Sequence, residues 1–256
     1  MEECLCYNEA GRTGITYMKG RETTMNKIGI IGAMDEEIIK LKELMKDVTV
    51  AVKASMEFHA GTLEGKDVVV VRSGIGKVNA AVCTQILADD YHVDAVVNTG
   101  IAGSLRQEIN IGDIVISTDT LQHDVDARAF GYAVGQIPRM EVLSFPADEN
   151  LIRQAEASCR EVNPDLGVFR GRVVSGDQFI ADAGVKDSIT TNFGGYCTEM
   201  EGAAIGQAAY LNQVPYVVIR SISDKADNSA VMDYPTFERH AIENGVRLVV
   251  HMVRNL

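Results

Sequence analysis

Carboxylates dominate the chemistry that the last third of this chain can offer. Thr198-Glu199-Met200-Glu201-Gly202 stands ahead of an Ala-rich apolar segment, and Tyr216-Val217-Val218-Ile219-Arg220 runs directly into Ser221-Ile222-Ser223-Asp224. An Asp at the end of a strand and a Glu pair at a neighbouring helix start can converge on one small polar ligand. A third acidic group, Asp35-Glu36-Glu37, follows Gly32-Ala33-Met34 near the start. Acidic residues favour a helix N-terminus and are commonly solvated there. That reading suits Asp35 and Glu36. Glu37 lies one turn further in, on the side of Met34 and Leu41. It has two readings, a solvated helix-start carboxylate or a group turned back into a crevice.

The elements that must position these groups alternate along the chain. Strands are expected at 28–31, 67–72, 94–98, 113–117, 171–175 and from Tyr216. Helices are expected at 35–46, 77–88, 148–162, from Glu201 and from about Pro235. Strands such as Tyr216–Ile219, with almost no polar alternation, are covered on both faces, as in a parallel α/β sheet. The crevice beyond the carboxyl ends of such strands is where ligands bind. Glu64-Gly65 reads as a hairpin turn and Phe130–Pro146 as a long aperiodic loop. The fold class is therefore α/β, with strands and helices in a single domain from Met25 to Leu256. Met1 to Thr24 are polar, Gly-rich and without periodicity, and read as a disordered extension ahead of a start at Met25. Cys4-x-Cys6 within it lacks partner ligands for a metal.

Three Gly-bearing segments follow expected strands: Gly32-Ala33-Met34, Ser73-Gly74-Ile75-Gly76 and Thr99-Gly100-Ile101-Ala102-Gly103. Glycine there lets backbone N–H groups approach a ligand closely. None completes G-x-G-x-x-G or ends in the Lys-Ser/Thr of a P-loop, so a nucleotide-phosphate site is poorly supported.

Bulk properties narrow the partners. With 24 Lys plus Arg against 36 Asp plus Glu, the formal charge is −12. Such a surface repels phosphate backbones and anionic lipid, against nucleic-acid or membrane partners. No apolar run reaches the length of a membrane span, and the first residues lack the apolar core of a signal peptide. Five scattered cysteines (Cys4, Cys6, Cys83, Cys159, Cys197) read as reduced thiols of a cytoplasmic protein. His123-Asp124-x-Asp126 could suggest a metal hydrolase, but no second His lies at ligand spacing. No metal or cofactor is called for.

Taken together these pieces resemble the 5′-methylthioadenosine/S-adenosylhomocysteine nucleosidases, within the nucleoside phosphorylase superfamily. The carriers are Ile28-Gly-Ile-Ile-Gly-Ala-Met-Asp-Glu-Glu37, Ser73-Gly-Ile-Gly-Lys77, Asn98-Thr-Gly100, Gly112-Asp-Ile-Val115, Ser175-Gly-Asp-Gln-Phe-Ile180, Glu199-Met-Glu201 and Arg220-Ser-Ile-Ser-Asp224. Each is weak alone; their order and spacing from Met25 to Leu256 are specific. The resemblance implies a single-domain three-layer sandwich around a mixed, largely parallel sheet. It also implies hydrolysis of the adenine–ribose bond of methylthioadenosine and S-adenosylhomocysteine, with 5′-deoxyadenosine as a further candidate, in methionine salvage.

The residue types fit that chemistry. Adenine leaves poorly as an anion, so a proton must reach its N7. The resemblance gives this to Asp224, oriented by Ser223. A carboxyl group donates at neutral pH only if burial raises its pKa or the substrate nitrogen tightens the hydrogen bond. The ribosyl centre becomes cationic, as in other glycoside hydrolysis, and nearby carboxylates stabilise it. By the same resemblance Glu37 activates the water, Glu201 (with Glu199 beside it) binds the ribose hydroxyls, and Met200 packs on the sugar. Phe179 stacks on adenine, the Ile180 backbone reads its edge, and Arg220 pairs with Glu201 and helps fix the water. Met34, Ile75 and Tyr234 meet the alkylthio group, and a neighbouring subunit adds Phe130 and Pro138, implying a homodimer. Two positions depart from the family: Ile101 stands where Ser is common, near the attacking water, and Tyr234 where Phe is common. Two alternatives stand beside this reading, a phosphorylase on the same fold and a nucleoside-binding protein without catalysis. Asp35-Glu36-Glu37 opposes the first, because carboxylates repel a phosphate dianion. The joint presence of Glu37, Arg220 and Asp224 opposes the second.

Overall fold

The computed structural model describes residues 25–256 except Ser229, and the backbone alone for residues 231–236. Residues 1–24, with the expected extension and Cys4-x-Cys6, lie outside the described residues, as does the Tyr234 side chain.

Four parallel strands form the frame of the site: β1 (Lys27–Gly32), β4 (Lys66–Arg72), β5 (Ala95–Ser104) and β10 (Tyr216–Asp224). β1 pairs with β4 and β5, and β5 with β10, all in parallel, so their carboxyl ends share one edge. β2 (Lys46–Lys53) and β3 (Met56–Leu63) extend the sheet antiparallel beyond β4. On the other side β6 (Ile114–Gln122), β8 (Val168–Ser175) and β9 (Cys197–Glu199) follow, with β7 (Phe145–Pro146) paired to β6. β10 pairs with β6, β6 with β8, β8 with β9, and β9 returns to the end of β5. Five strands of the mixed sheet thus close on themselves. The ring brings Glu199, at the end of β9, against Arg220 in the middle of β10.

Helices cover both faces. α1 (Asp35–Leu44), α3 (Glu149–Val162) and α6 (Ala230–Asn255) bury Ile38, Leu41, Leu151, Ile152, Val249 and Met252 in one cluster with the strand residues Ile28, Ile30, Val70, Ile114, Ile116 and Ile219. α2 (Lys77–Asp89) and α5 (Gly202–Asn212) pack Ala80, Cys83, Leu87, Ile205 and Ala209 onto Val69, Val71, Val96 and Val218. Successive strand residues face opposite layers, so a strand covered on both sides is apolar throughout. α4 (Ala183–Phe193) packs Ile189 and Phe193 on a smaller cluster with Leu105, Leu121, Val174 and Ile180.

The expected strands and helices are present, with several differences. Lys46 ends no helix but begins β2, because α1 stops at Leu44. Glu64 (φ 50°) and Gly65 (φ 80°) make the hairpin turn between β3 and β4. β2 and β3 themselves were not expected: every residue of β2 is exposed, so no buried pattern marks it. α4 and β9 were also missed. The segment Thr99–Gly103 is strand rather than loop: β5 continues because β10 and β9 pair with it there. α6 begins at Ala230, ahead of Pro235. A 3₁₀ turn at Arg128–Phe130 leads into the long loop, which ends in β7. Among the described residues no helix is long and apolar enough to cross a membrane.

Candidate active site

A cavity of about 640 Å³ opens at the shared carboxyl edge, a size ordinary for a small-molecule site. Its wall includes Ala33 and Met34 after β1, Ile75 after β4, Ile101 to Gly103 in β5, and Ser223 and Asp224 at the end of β10. Phe179, Thr198, Glu199, Met200 and Glu201 complete it, and a small recess beside Gln178, Phe179, Ile180 and Asp224 adjoins it. The three glycine segments therefore do meet at one crevice.

Glu37 is buried and turned into the cavity, while Asp35 and Glu36 are exposed. Local sequence explains the turn. Glu37 is the third residue of α1, and its carboxylate reaches back to the N–H of the cap residue Met34 in a capping-box geometry. Its Oε2 accepts from Ala33 N at 2.6 Å and Met34 N at 3.0 Å, and its Oε1 accepts from Ile101 N at 3.2 Å. Burial raises its pKa; the nearby Arg220 charge and the three N–H groups offset part of that.

Arg220 is fully buried. Its Nη2 donates to Asn98 Oδ1 at 2.6 Å and to Glu199 Oε2, while Glu201 Oε2 stands at 3.6 Å. The tight ion pair is therefore Arg220–Glu199, and the Arg220–Glu201 pairing that the resemblance implies is the looser contact. Burial alone would lower the pKa of Arg220, but Glu199, Glu201 and Glu37 outweigh it and hold the cation. Gly100 makes the assembly possible. A Cβ there would collide with Arg220 Nη1 and lie 2.6 Å from Glu37 Oε1. Both groups thus lie over the Gly100 backbone.

The two glutamates of Glu199-Met-Glu201 have different surroundings. Glu199 Oε1 accepts from Ser175 Oγ, and its Oε2 from Arg220, Gly202 N (2.8 Å) and Glu201 N (3.2 Å). Glu199 is thereby committed to protein donors, although it borders the cavity. Glu201 accepts one backbone bond, from Gly76 N at 2.9 Å, where Gly76 sits at φ 98°, a region that favours glycine. Burial first, then the adjacent Glu199 charge, raises the Glu201 pKa, against Arg220 and the Gly76 N–H.

Asp224 is buried at the opposite end. Its Oδ2 accepts from Ser223 Oγ at 2.9 Å and its Oδ1 from Ala226 N at 2.7 Å. These bonds fix the plane of the carboxyl group toward the recess beside Phe179 and Ile180. Phe179 borders the recess and is 53% exposed, whereas Ile180 is buried. Ile101 is buried with its side chain on the cavity wall, and Ile75 is 52% exposed at the mouth. Phe130 and Pro138 are exposed and do not line the cavity of their own chain.

A second cavity of about 550 Å³ lies between His123, Asp124, Asp126, Arg128 and α4. Asp124 is engaged by Lys77 Nζ at 2.6 Å and Asp126 by Arg128 at 2.6 Å. Among the described residues no group of three or more His, Cys, Asp or Glu is placed to hold a metal ion. Asn98 and Ser175 lie inside the quoted motifs but gained no role from the sequence. Asn98 directly follows the apolar run Ala95–Val97 and Ser175 the pair Val173-Val174, and a polar group at that point is the signal that marks them.

An α/β fold with buried carboxylates at both ends of a carboxyl-edge cavity defines a class of protein that handles small polar ligands. Residues 27–254 match the family profile of the phosphorylase superfamily. A 5′-methylthioadenosine/S-adenosylhomocysteine nucleosidase of Anoxybacillus flavithermus is 44% identical over 230 residues, 90% of this chain and 98% of the relative. The crystal structure of such a nucleosidase from Neisseria meningitidis, in complex with methylthio-immucillin-A, superimposes with a TM-score of 0.87 at 38% identity, covering 90% of this chain and all of the other. Futalosine hydrolase of Helicobacter pylori is similar too, with a TM-score of 0.85 at 33% identity over 91% of this chain and 99% of the other. The chain belongs to the phosphorylase superfamily and, within it, to the 5′-methylthioadenosine/S-adenosylhomocysteine nucleosidases.

Proposed function

We propose that this protein is an N-glycosidic hydrolase that cleaves 5′-methylthioadenosine and S-adenosylhomocysteine to adenine and a 5-alkylthioribose, in methionine salvage. The observation that carries the reading is one cavity with Asp224 at one end and the Glu37–Arg220 pair at the other. Adenine lies in the recess, stacked on Phe179 with its edge along the Ile180 backbone. Asp224, oriented by Ser223, gives a proton to N7 as the glycosidic bond lengthens. The ribosyl cation forms between Met200 and the carboxylates, with Glu201 on the ribose hydroxyls. Glu37 takes a proton from the attacking water, and Arg220 orients it. Glu199 acts by holding Arg220. General acid catalysis of this kind is worth roughly 10²–10⁴-fold.

The backbone N–H groups favour water over phosphate as nucleophile. Those of Ala33, Met34, Ile101 and Gly76 are bonded to Glu37 and Glu201 carboxylates. A phosphate dianion would have to displace negative charge from these donors. The alkylthio group extends toward Met34 and Ile75. Phe130 and Pro138 of a second copy close that end in a cytoplasmic homodimer. The domain that carries this activity spans residues 25–256.

The test is adenine release from 5′-methylthioadenosine in phosphate-free buffer, with and without added phosphate. Phosphate-independent release with free 5-methylthioribose is expected. Release that requires phosphate would make the protein a phosphorylase. No release from methylthioadenosine, S-adenosylhomocysteine or 5′-deoxyadenosine, with turnover of futalosine, would move the substrate assignment.

A further inference from the structure

Asn98 lies beneath the reacting groups, fully buried in the interior of β5. A buried amide is costly unless its donors and acceptor are satisfied. Here Nδ2 donates to Ile31 O at 2.9 Å and Oδ1 accepts from Arg220 Nη2 at 2.6 Å. The first bond sets the orientation of the amide: with Nδ2 directed at a carbonyl, the oxygen must face Arg220. In register Asn98 pairs with Ile31 of β1 and Val218 of β10. It therefore ties the strand that leads to Glu37 to the strand that carries Arg220.

The guanidinium gains a defined plane from this contact. Nη2 has two hydrogens lying in the plane of the group. One is directed to Asn98 and the other to Glu199 Oε2. Two close acceptors on one nitrogen fix both position and tilt, whereas Glu199 with only the looser Glu201 contact at 3.6 Å would let the plane pivot. Nε and Nη1 have no protein acceptor. Nη1 lies over Gly100, on the same spot that Glu37 Oε1 approaches.

We propose that Asn98 is a positioning residue for hydrolysis: it holds the plane of Arg220 so that Nη1 and Glu37 Oε1 grip the same attacking water. It acts through Arg220 and touches neither substrate nor water. This rests on the hydrolytic reading above.

A double-mutant cycle tests it, with Asn98→Ala, Arg220→Ala and the double variant assayed on 5′-methylthioadenosine in phosphate-free buffer. Asn98→Ala is expected to lower kcat about tenfold or more, with KM within about threefold. In the Arg220→Ala background the same change should add little, because the group it positions is gone. Asn98→Ser, a milder truncation, carries the same cycle if the alanine variant does not fold. Adenine affinity, measured by calorimetry, should stay near wild type and shows that the site is formed. A loss in kcat that multiplies fully with that of Arg220→Ala would overturn the proposal, as would kcat within about twofold of wild type in both Asn98 variants. Those results leave wild-type turnover intact, whereas a wild type without turnover would remove the hydrolytic reading itself.

Discussion

In the depth of the cavity Glu37, Glu199, Glu201, Arg220 and Asp224 are buried and bonded to backbone N–H groups or to each other. At its mouth Ile75 is 52% exposed, and Phe130 is 83% exposed and outside the cavity. The contrast follows from the forces each end uses. Charge stabilisation depends on dipoles fixed before reaction, so its groups must be locked by strand ends and tight glycine contacts. Apolar contact is non-directional and tolerates slack, so loops and a second copy can complete it. On the proposed function, chemistry is built within one chain, while recognition of the 5′ substituent falls to exposed loop residues.

Changes at the locked end should cost most. Asp224→Asn and Glu37→Gln are each expected to lower kcat by roughly 10²–10⁴-fold while nucleoside binding persists. Single-turnover assays with parallel binding measurements check this, and activity within a few-fold of wild type would remove the residue from its role. Gly100→Ala comes next. Its methyl group would separate Arg220 from Glu37, and a fall in kcat of about 10–100-fold is expected with modest loss of thermal stability. An unchanged kcat would show that the two groups need not meet over Gly100.

Acidification should separate activity from stability. Burial holds the Glu37 pKa above its ordinary 4.5, and a base must be ionised, so the acid limb of kcat/KM should lie above that value. The sign for stability is opposite. In the unfolded chain Glu37 titrates near 4.5. Between that pH and its raised folded value, the folded state holds more protons than the unfolded one. Stability from this group therefore declines as pH rises through the window and grows as pH falls. Activity should disappear on the limb with no drop in melting temperature, and coincident loss of both would contradict the assignment. The smallest effect belongs to the open end. Phe130→Ala should leave kcat within about twofold and raise KM for 5′-methylthioadenosine several-fold, since the ring supplies only apolar contact. An unaltered KM would detach Phe130 from the site.

The alternation of strands and helices, the covered sheet and the cluster of motifs were legible because they rest on short-range patterns. The apolar run of Val68–Val71 and the third-position Glu37 of α1 are local signals with local causes. β2 carries no buried face, and α4 buries only Ile189 and Phe193, so neither stood out. The glycine-rich end of β5 looked like a loop because its strand character comes from pairing with β9 and β10.

The sequence by itself determined which chemical groups are present and on which kind of element each stands, since side-chain periodicity and helix capping act within a few residues. Tertiary structure alone decided that Arg220 grips Glu199 and Asn98, the latter 122 residues away, and that Glu201 keeps a looser contact. It decided too that Gly100 is the surface over which Arg220 and Glu37 meet. The physical reason is that buried charges are placed by where distant strands end, and those ends are set by pairing and packing across the whole sheet.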